Sequence, residues 1–313
     1  MKCIALITDM EAKVEQQWLQ LLQDLLTDEK ILLAGQISEQ QAFDIDIAIV
    51  ANPDPDIIVK FPNLIWIQNL WVGVEKLLEK LPLEKIKVVK LNDPQLTRTM
   101  SEAVLAWTLY LHRNMPEYAK QQAQKKWLQL PYKSAQQTRV SILGAGTLGL
   151  GAVEILSQHG YHVSCWSRTE KQVKSGKHFT GQSGLQTMLA ETDILINLLP
   201  LTPATKYFID NDLLRKLPKG AKLINFARGA VVNTNELLSL LSEGHIAHAV
   251  LDVFEQEPLA PENAIWQNPN ITVLPHISGP TSMHSAVKIV AHNITSYRET
   301  GIIAKPVNTQ QGY

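Results

Sequence analysis

The sequence predicts an α/β protein of two lobes, and three observations support this prediction. The chain has 313 residues, more than one ordinary domain needs and enough for two of moderate size. Short apolar runs alternate with amphipathic stretches, the pattern of parallel sheets covered by helices. A glycine-rich loop lies near the middle of the chain, so the lobe that contains it is expected to be inserted into the other. A ligand cleft is expected between two such lobes.

The first lobe is predicted to be a small α/β unit with a parallel sheet. Apolar side chains recur at helical spacing at Trp18, Leu21, Leu22, Leu25 and Leu26. Short apolar runs predict strands over 3–7, 45–50, 64–67 and 87–89. A helix-like stretch over 101–113 follows, and the first crossing between the lobes is predicted near residue 100.

The second lobe is predicted to be a doubly wound sheet of six strands. Its strand candidates, most of them separated by helical stretches, lie at 140–143, 161–166, 194–199, 223–226, 249–253 and 271–274. A sheet of this kind binds ligands at the carboxyl ends of its strands. Because six strands complete such a lobe, the last helix-like stretch, 281–300, is expected to return to the first one.

The composition excludes several classes of protein. Hydrophobic residues make up 45% and charged residues 19%, which is globular, and the net charge of -1 gives no general attraction for nucleic acid. The only two cysteines, Cys3 and Cys165, form neither a disulfide framework nor a metal motif. Neither a signal peptide nor an apolar run of membrane-spanning length is present. We therefore expect a cytoplasmic protein with no metal, membrane or nucleic-acid partner.

The glycine-rich loop predicts a dinucleotide site. A strand candidate runs directly into Gly144, Gly146 and Gly149, and 150–158 can continue as a helix. The first glycine permits the tight turn, the second lets the backbone approach a pyrophosphate, and the third allows close packing of helix on strand. An ordinary turn is the alternative, but the strand before and the helix after favour a dinucleotide. The cofactor is expected to contact Gly144, Gly146, Thr147, Leu148 and Gly149.

The tip of the following strand predicts which cofactor binds. An acidic residue there holds the ribose hydroxyls of NAD, but 165–169 carries no carboxylate. Ser167 and Thr169 can donate hydroxyl hydrogen bonds, Arg168 can pair with a phosphate, and Lys171 follows closely. NADPH is therefore the predicted cofactor. If Arg168 is only a surface charge, NAD remains the alternative.

Three polar residues follow strand ends in the second half of the chain: Arg228, Glu257 and His276. Reduction of a 2-oxo acid needs a cation for the carboxylate and carbonyl, a proton donor, and a group that keeps the donor charged. Arg228 can supply the cation, His276 can donate the proton, and Glu257 can keep His276 charged. Taken singly, each has a simpler explanation that would be preferred: Arg228 as a surface arginine, Glu257 as a loop carboxylate and His276 as a core histidine.

The amino-acid sequence around these residues resembles that of the D-isomer-specific 2-hydroxyacid dehydrogenase family. The similar segments are Ala-Arg-Gly at 227–229, Asp-Val-Phe-x-x-Glu-Pro-Leu at 252–259 and Pro-His at 275–276, after a glycine loop. The resemblance spans nearly the whole chain. The segments 165–169, 195–200 and 312–313 are most similar to the family members that reduce glyoxylate and hydroxypyruvate.

The resemblance implies a flavodoxin-like substrate domain made of 1–98 plus 282–313, with an NADP-binding Rossmann domain at 99–281 between them. It also implies a homodimer. In the family's roles, Arg228 binds the substrate carboxylate and carbonyl, His276 is the general acid/base, and Glu257 supports it. The residues expected to border the cofactor are Leu199, Pro200, Thr205 and Asp252.

A substrate loop is implied in the first lobe. Trp71, Val72 and Gly73 match the family segment whose backbone N–H groups bind the substrate carboxylate, with Glu75 in place of a more usual aspartate. The backbone site should survive that change. Trp71 either narrows the pocket toward two- and three-carbon acids or packs in the core of its lobe.

The expected function is NADPH-dependent reduction of glyoxylate to glycolate and of hydroxypyruvate to D-glycerate. The nearest alternative is another D-2-hydroxyacid dehydrogenase of the same family. An alternative of a different class is a nucleotide-sensing protein that acts like a corepressor by binding partners. The presence of Arg228, Glu257 and His276 together argues against a purely binding role.

Overall fold

The computed structural model describes residues 2–81 and 85–308. The chain divides into two compact units, one formed by Leu96–Pro280 and the other by the residues before and after it. These limits lie within three residues of the expected domain boundaries. The functions expected of the two domains remain predictions.

The first unit contains a parallel sheet of five strands with helices between them. Its elements before the inserted unit are β1 (Lys2–Thr8), α1 (Ala12–Leu25), β2 (Glu29–Leu33), α2 (Glu39–Ala42), β3 (Ile45–Ala51), α3 (Pro55–Ile58), β4 (Trp66–Asn69), α4 (Glu75–Lys80) and β5 (Lys87–Val89). The strand order is β2-β1-β3-β4-β5, the flavodoxin-like order. The predicted α/β fold with a flavodoxin-like domain is therefore confirmed.

Two strands of this sheet differ from the sequence prediction. β2 was not predicted, because its apolar residues directly follow the leucine-rich spacing of α1 and merge with the helical pattern. β4 begins at Trp66, two residues later than expected. Leu64 is buried although it precedes the strand, so its apolar side chain extended the apolar run from which the strand was predicted. The remaining predicted strands of this unit coincide with β1, β3 and β5 within one residue.

The second unit contains a parallel sheet of seven strands. Its elements are α5 (Pro94–His112), which starts at the boundary, α6 (Met115–Ala123), β6 (Arg139–Leu143), α7 (Thr147–Gln158), β7 (His162–Ser167), β8 (Lys177–Thr180), α8 (Gly181–Leu189), β9 (Ile194–Asn197), α9 (Asn211–Leu214), β10 (Ala221–Asn225), α10 (Thr234–Ser242), β11 (Ile246–Leu251) and β12 (Ile271–Val273). The order β12-β11-β10-β9-β6-β7-β8 reverses between β6 and β9, as in a Rossmann fold. The Rossmann prediction is confirmed.

The prediction of six strands in this unit is wrong by one, because β8 is present. β8 is an edge strand of four residues, none of them fully buried, and Phe179 is its only large apolar side chain. Without an apolar run it gives no strand signal. The last helix, α11 (Met283–Thr300), buries its apolar face in the core of the first unit, against Trp18 and Leu22 of α1.

His248 is a buried histidine of β11 that is not among the expected site residues. Its Nε2 lies 2.9 Å from Thr272 Oγ1, and its Nδ1 has no hydrogen-bond partner among the described residues. Burial, helped by the charge of Lys120, lowers the pKa of His248 to about 4. The folded protein therefore holds this side chain neutral at physiological pH.

We predict that His248 makes the fold acid-sensitive. An exposed histidine has a pKa of about 6.5, so the unfolded chain binds the proton first as the pH falls. The stabilisation that neutral His248 contributes is complete above the unfolded pKa of about 6.5. It is lost as the pH falls toward the folded pKa of about 4. From pH 7 to pH 5 the free energy of unfolding should fall by about 2 kcal/mol through this residue.

Urea denaturation of the wild type and of His248→Gln at both pH values measures this loss. The variant should lose less stability than the wild type on acidification, whatever its stability at pH 7. His162→Gln, which changes an exposed histidine, is the matched control and should keep the full pH dependence. Equal losses in the wild type and His248→Gln would contradict the assignment.

Candidate active site

The glycine loop joins β6 to α7 in a geometry that only glycine allows at two positions. Gly144 has φ +105°, and a Cβ on it would lie 2.8 Å from the carbonyl oxygen of Leu198. A Cβ on Gly149 would lie 1.8 Å from the carbonyl oxygen of Gly144. Helix α7 can therefore approach β6 only because both side chains are absent.

The start of α7 is open and can accept an anion. Gly146 caps the helix, and a Cβ on it would meet no atom of the described residues within 4 Å. Gly146 and Thr147 are exposed and Leu148 is partly buried. A helix start offers backbone N–H groups and a partial positive charge. The loop thus fits a dinucleotide pyrophosphate on the evidence of its own geometry.

The loop after β9 borders the same edge of the sheet and is folded by its own hydrogen bonds. The Thr205 hydroxyl donates to the Pro200 carbonyl at 2.6 Å and accepts from Thr202 N at 2.8 Å. Leu199 is buried, and its N–H donates to Asn197 Oδ1 at 3.1 Å. In this structure Thr205 therefore shapes the loop, whatever it contacts in a complex.

The tip of β7 carries the residues expected to choose the cofactor. Arg168, Thr169 and Lys171 are exposed and Ser167 is partly buried. Ser167 Oγ donates to the Thr169 carbonyl at 2.8 Å and lies 2.8 Å from Nε2 of His178 on β8. The tip therefore presents hydroxyl and cationic groups, and no pattern in the sequence indicated the histidine beside it.

Glu257 and His276, which come from loops after different strands, are in direct contact. Glu257 Oε2 lies 2.7 Å from His276 Nδ1, while Glu257 Oε1 accepts the Phe254 N–H at 2.8 Å. The carboxylate is thus held from both sides. Because Nδ1 is engaged with Glu257, Nε2 is the ring nitrogen that can exchange a proton with a substrate.

The electrostatics of this pair favour a charged histidine. The hydrogen bond that His276 donates to Glu257 is the main cause that raises the pKa of His276, against opposing effects of burial and of Arg228. Burial raises the pKa of Glu257. The hydrogen bonds that its carboxylate accepts from His276 and from the Phe254 N–H together outweigh burial, so the pKa of Glu257 lies below its usual value. Arg228, whose Nη1 donates to the Ala227 carbonyl at 2.7 Å, acts electrostatically on both residues.

The backbone of His276 is fixed by Asp252. His276 has φ +54°, a conformation that is uncommon outside glycine, and its N–H donates to the Asp252 carbonyl at 3.0 Å. The Asp252 carboxylate is buried and accepts the N–H groups of Ile277 at 2.7 Å and Ser278 at 2.9 Å. Asp252, expected to border the cofactor, therefore also holds the loop that carries the histidine.

The expected substrate loop lies after β4 in the first unit. The buried side chain of Asn69 donates to the carbonyls of Trp71 at 3.0 Å and Gly73 at 2.7 Å, which folds the loop tightly. Trp71 is partly buried and meets Trp18 edge to face with ring centroids 6.4 Å apart. The core-packing alternative for Trp71 is thus part of its role. The substrate contacts of Trp71, Val72 and Gly73 remain predictions.

Another contact that the sequence did not indicate joins two loops of the second unit. Tyr207 has φ +53°, and its hydroxyl donates to Glu255 Oε2 at 2.9 Å. The bond ties the end of the loop after β9 to the segment that carries Glu257. A left-handed tyrosine gives no sequence pattern, so only the structure could reveal it.

Other expectations concern absences or residues outside the described part. The similar pair at 312–313 lies outside the described residues. Within 2–81 and 85–308, no three histidine, cysteine or acidic side chains are grouped as metal ligands. The helices in those ranges include none of the length and apolarity that crossing a membrane requires.

A doubly wound sheet with this glycine loop at its reversal point defines a dinucleotide-binding Rossmann domain. The family model for the "D-isomer specific 2-hydroxyacid dehydrogenase, NAD binding domain" matches residues 105–278. The chain belongs to the D-isomer specific 2-hydroxyacid dehydrogenases, a family of oxidoreductases, and the resemblance noted in the sequence is confirmed.

Solved structures similar to this chain cover its whole length. A D-isomer specific 2-hydroxyacid dehydrogenase from Xanthobacter autotrophicus, in complex with NADPH and MES, is 32% identical with TM-score 0.93, covering 100% of this chain and 99% of that one. An NADPH-dependent glyoxylate/hydroxypyruvate reductase from Sinorhizobium meliloti, with NADP and sulfate, is 27% identical with TM-score 0.89 and full coverage of both chains. A probable 2-hydroxyacid dehydrogenase from Rhizobium etli, with NADP, HEPES and L(+)-tartaric acid, is 28% identical with TM-score 0.91, again covering 100% of both chains.

We predict that Glu257 controls the charge of His276. In Glu257→Gln the amide can still accept a hydrogen bond but carries no charge, so the pKa of His276 should fall relative to the wild type. An NMR titration of the histidine ring signals, assigned with a His276→Gln variant, measures this directly. The test requires no substrate.

Glu255→Gln is the matched control for this change. Glu255 is a carboxylate two residues away, but it accepts from Tyr207 and not from His276. Its replacement should leave the His276 titration where it is in the wild type. A His276 pKa that is unchanged in Glu257→Gln, or lowered equally in both variants, would rule out the proposed effect of Glu257 on the charge of His276.

Proposed function

We propose that the protein is an NADPH-dependent reductase of small 2-oxo acids, with glyoxylate and hydroxypyruvate as its substrates and glycolate and D-glycerate as its products. The observation that carries this proposal is the 2.7 Å contact between Glu257 and His276, on a dinucleotide-binding domain whose Arg228 acts on both residues. A reductase named for these two substrates is among the similar structures.

The proposed chemistry divides among three side chains. Arg228 binds the substrate carboxylate and polarises its carbonyl, since a guanidinium pairs well with carboxylates. NADPH, when bound, supplies the hydride. His276 donates the proton from Nε2 to the carbonyl oxygen that becomes a hydroxyl. Glu257 keeps the imidazole oriented through Nδ1 and favours its charged form until the proton is transferred.

NADP is the proposed cofactor, and NAD is the weaker alternative. The glycine loop fits either pyrophosphate, so the choice depends on the tip of β7. The exposed Arg168 and Lys171 offer cations there, and Ser167 and Thr169 offer hydroxyls. Three similar structures hold NADP or NADPH. Leu199, Pro200, Thr205 and Asp252 are proposed to border the rest of the cofactor.

The backbone N–H groups of Val72 and Gly73 are proposed to bind the substrate carboxylate. The support is the tight fold that Asn69 imposes on the loop, which leaves the carbonyls of Trp71 and Gly73 directed at the Asn69 amide. A loop held in this way keeps its N–H groups in a fixed arrangement for an anion. Glu75 starts α4 and takes no part in the proposed binding.

The protein is further proposed to be a cytoplasmic homodimer. Both cysteines, Cys3 and Cys165, are free thiols, which suits a reducing compartment.

Exposed apolar side chains cluster along one stretch of the second unit at Leu109, Met115, Tyr118, Trp127, Leu128 and Tyr132. Trp127 is 98% exposed, which is unusual for a tryptophan unless a partner covers it. Sedimentation analysis should give a dimer that weakens in Trp127→Ser, and a monomeric wild type would contradict this.

The reductase proposal is tested by NADPH oxidation with purified protein. Glyoxylate and hydroxypyruvate should both be reduced, and His276→Gln should lower kcat by about a hundredfold or more while NADPH still binds. Chiral analysis should find D-glycerate. Tight NADPH binding with turnover of neither substrate would reject the reductase and favour a nucleotide-binding role.

Arg168→Ala tests the cofactor assignment separately from the chemistry. Loss of a charge-assisted contact to the 2′-phosphate should weaken NADPH binding by about tenfold or more and leave NADH binding almost unchanged. Isothermal titration calorimetry measures both affinities. Lys216→Ala, a change of a lysine that lies outside the proposed cofactor site, should alter neither. An unchanged ratio of NADPH to NADH affinity in Arg168→Ala would show that the assignment is wrong.

A further inference from the structure

His178 has a place in the structure that its place in the sequence does not suggest. It lies on the edge strand β8, where its Cα pairs with that of Cys165 on β7. Its side chain is partly buried, and Nε2 lies 2.8 Å from Ser167 Oγ. The fold thus brings an imidazole into contact with the strand tip that is proposed to choose the cofactor.

The hydrogen bonds around Ser167 determine which atom donates. A serine hydroxyl has one proton, and here it is given to the Thr169 carbonyl, which can only accept. Ser167 Oγ must therefore accept from His178, so Nε2 carries a proton. His178 acts as a donor toward the tip, either as the neutral Nε2–H tautomer or as the imidazolium.

This arrangement prepares Ser167 to bind an anion. If its hydroxyl turns from the Thr169 carbonyl to a phosphate oxygen, the bond from His178 can persist and hold Oγ in position. A hydroxyl that accepts a hydrogen bond is also a better donor in its turn. A carboxylate at the same point would instead repel a 2′-phosphate.

We propose that His178 is a specificity-determining residue of the cofactor site, which holds Ser167 as a donor for the 2′-phosphate of NADP. This inference rests on the proposed assignment of Ser167 and Arg168 to that phosphate. His178 discriminates between the cofactors, because the group that Ser167 meets in NADH is a neutral hydroxyl.

A purely structural role does not account for the contact. The two strands are already joined by backbone pairing from Ser164 with Lys177 to Ser167 with Thr180. In addition, the Thr180 hydroxyl donates to the Arg168 carbonyl at 3.0 Å. The strand pairing therefore has its own support, and the bond from His178 acts on the Ser167 hydroxyl itself.

Calorimetric titration with NADPH and NADH tests the proposal without any turnover. His178→Ala should weaken NADPH binding about three- to tenfold and leave NADH binding nearly unchanged. His178→Gln, whose amide can donate at a similar reach, should recover most of the lost affinity. In the Ser167→Ala background, His178→Ala should have little further effect, because its partner is already missing.

His162→Ala is the control for removal of a histidine from the same sheet. His162 is exposed at the opposite end of β7 and should affect neither affinity. Equal weakening of NADPH and NADH in His178→Ala, or no weakening of either, overturns the proposal. If His178→Ala leaves the preference for NADPH unchanged while Arg168→Ala removes it, the proposed function stands and the role of His178 fails. A wild type that binds both cofactors equally overturns the two together.

Discussion

The position of the Glu257–His276 pair depends on one buried carboxylate, that of Asp252. It lies just beyond the end of β11 and holds two successive N–H groups after His276, those of Ile277 and Ser278. Its own carbonyl accepts the N–H of His276. These three bonds fix a backbone conformation that a histidine rarely adopts by itself. Because a carboxylate buried without such donors would be costly, the loop and the carboxylate stabilise each other.

The position of Glu257 also depends on Gly229, the glycine next to the arginine that is proposed to bind the substrate. A Cβ on Gly229 would lie 2.0 Å from the carbonyl carbon of Phe254, so any other residue would push the loop after β11 away. That loop must stay close, since Phe254 N holds one oxygen of Glu257 and leaves the other for His276. The Arg-Gly pair therefore has two physical functions. Arg228 supplies the charge, and Gly229 makes room for the loop that carries the carboxylate.

The sequence predicted what depends on strong local patterns. Most strands of both sheets have buried apolar runs, and Arg228, Glu257 and His276 could be chosen because each follows such a run. β8 and its His178 could not be found this way, since a half-exposed edge strand has no apolar periodicity. Asn69 was missed for a different reason: its two hydrogen bonds go to carbonyls of its own loop, and this shows in the fold and not in residue type.

The difference between class and specificity in this protein follows from which atoms do the binding. The pyrophosphate site is made of backbone groups, so it requires glycine at Gly144 and Gly149 for steric reasons that are the same for NAD and NADP. A motif can therefore reveal the class. In the proposed assignment, the preference for one cofactor depends on side chains at the tip of β7 and on the side chain of His178 that β8 places beside them. With a net charge of only -1, the chain must attract an anionic ligand through such local groups, and the contact of His178 with Ser167 is formed only when the edge strand pairs.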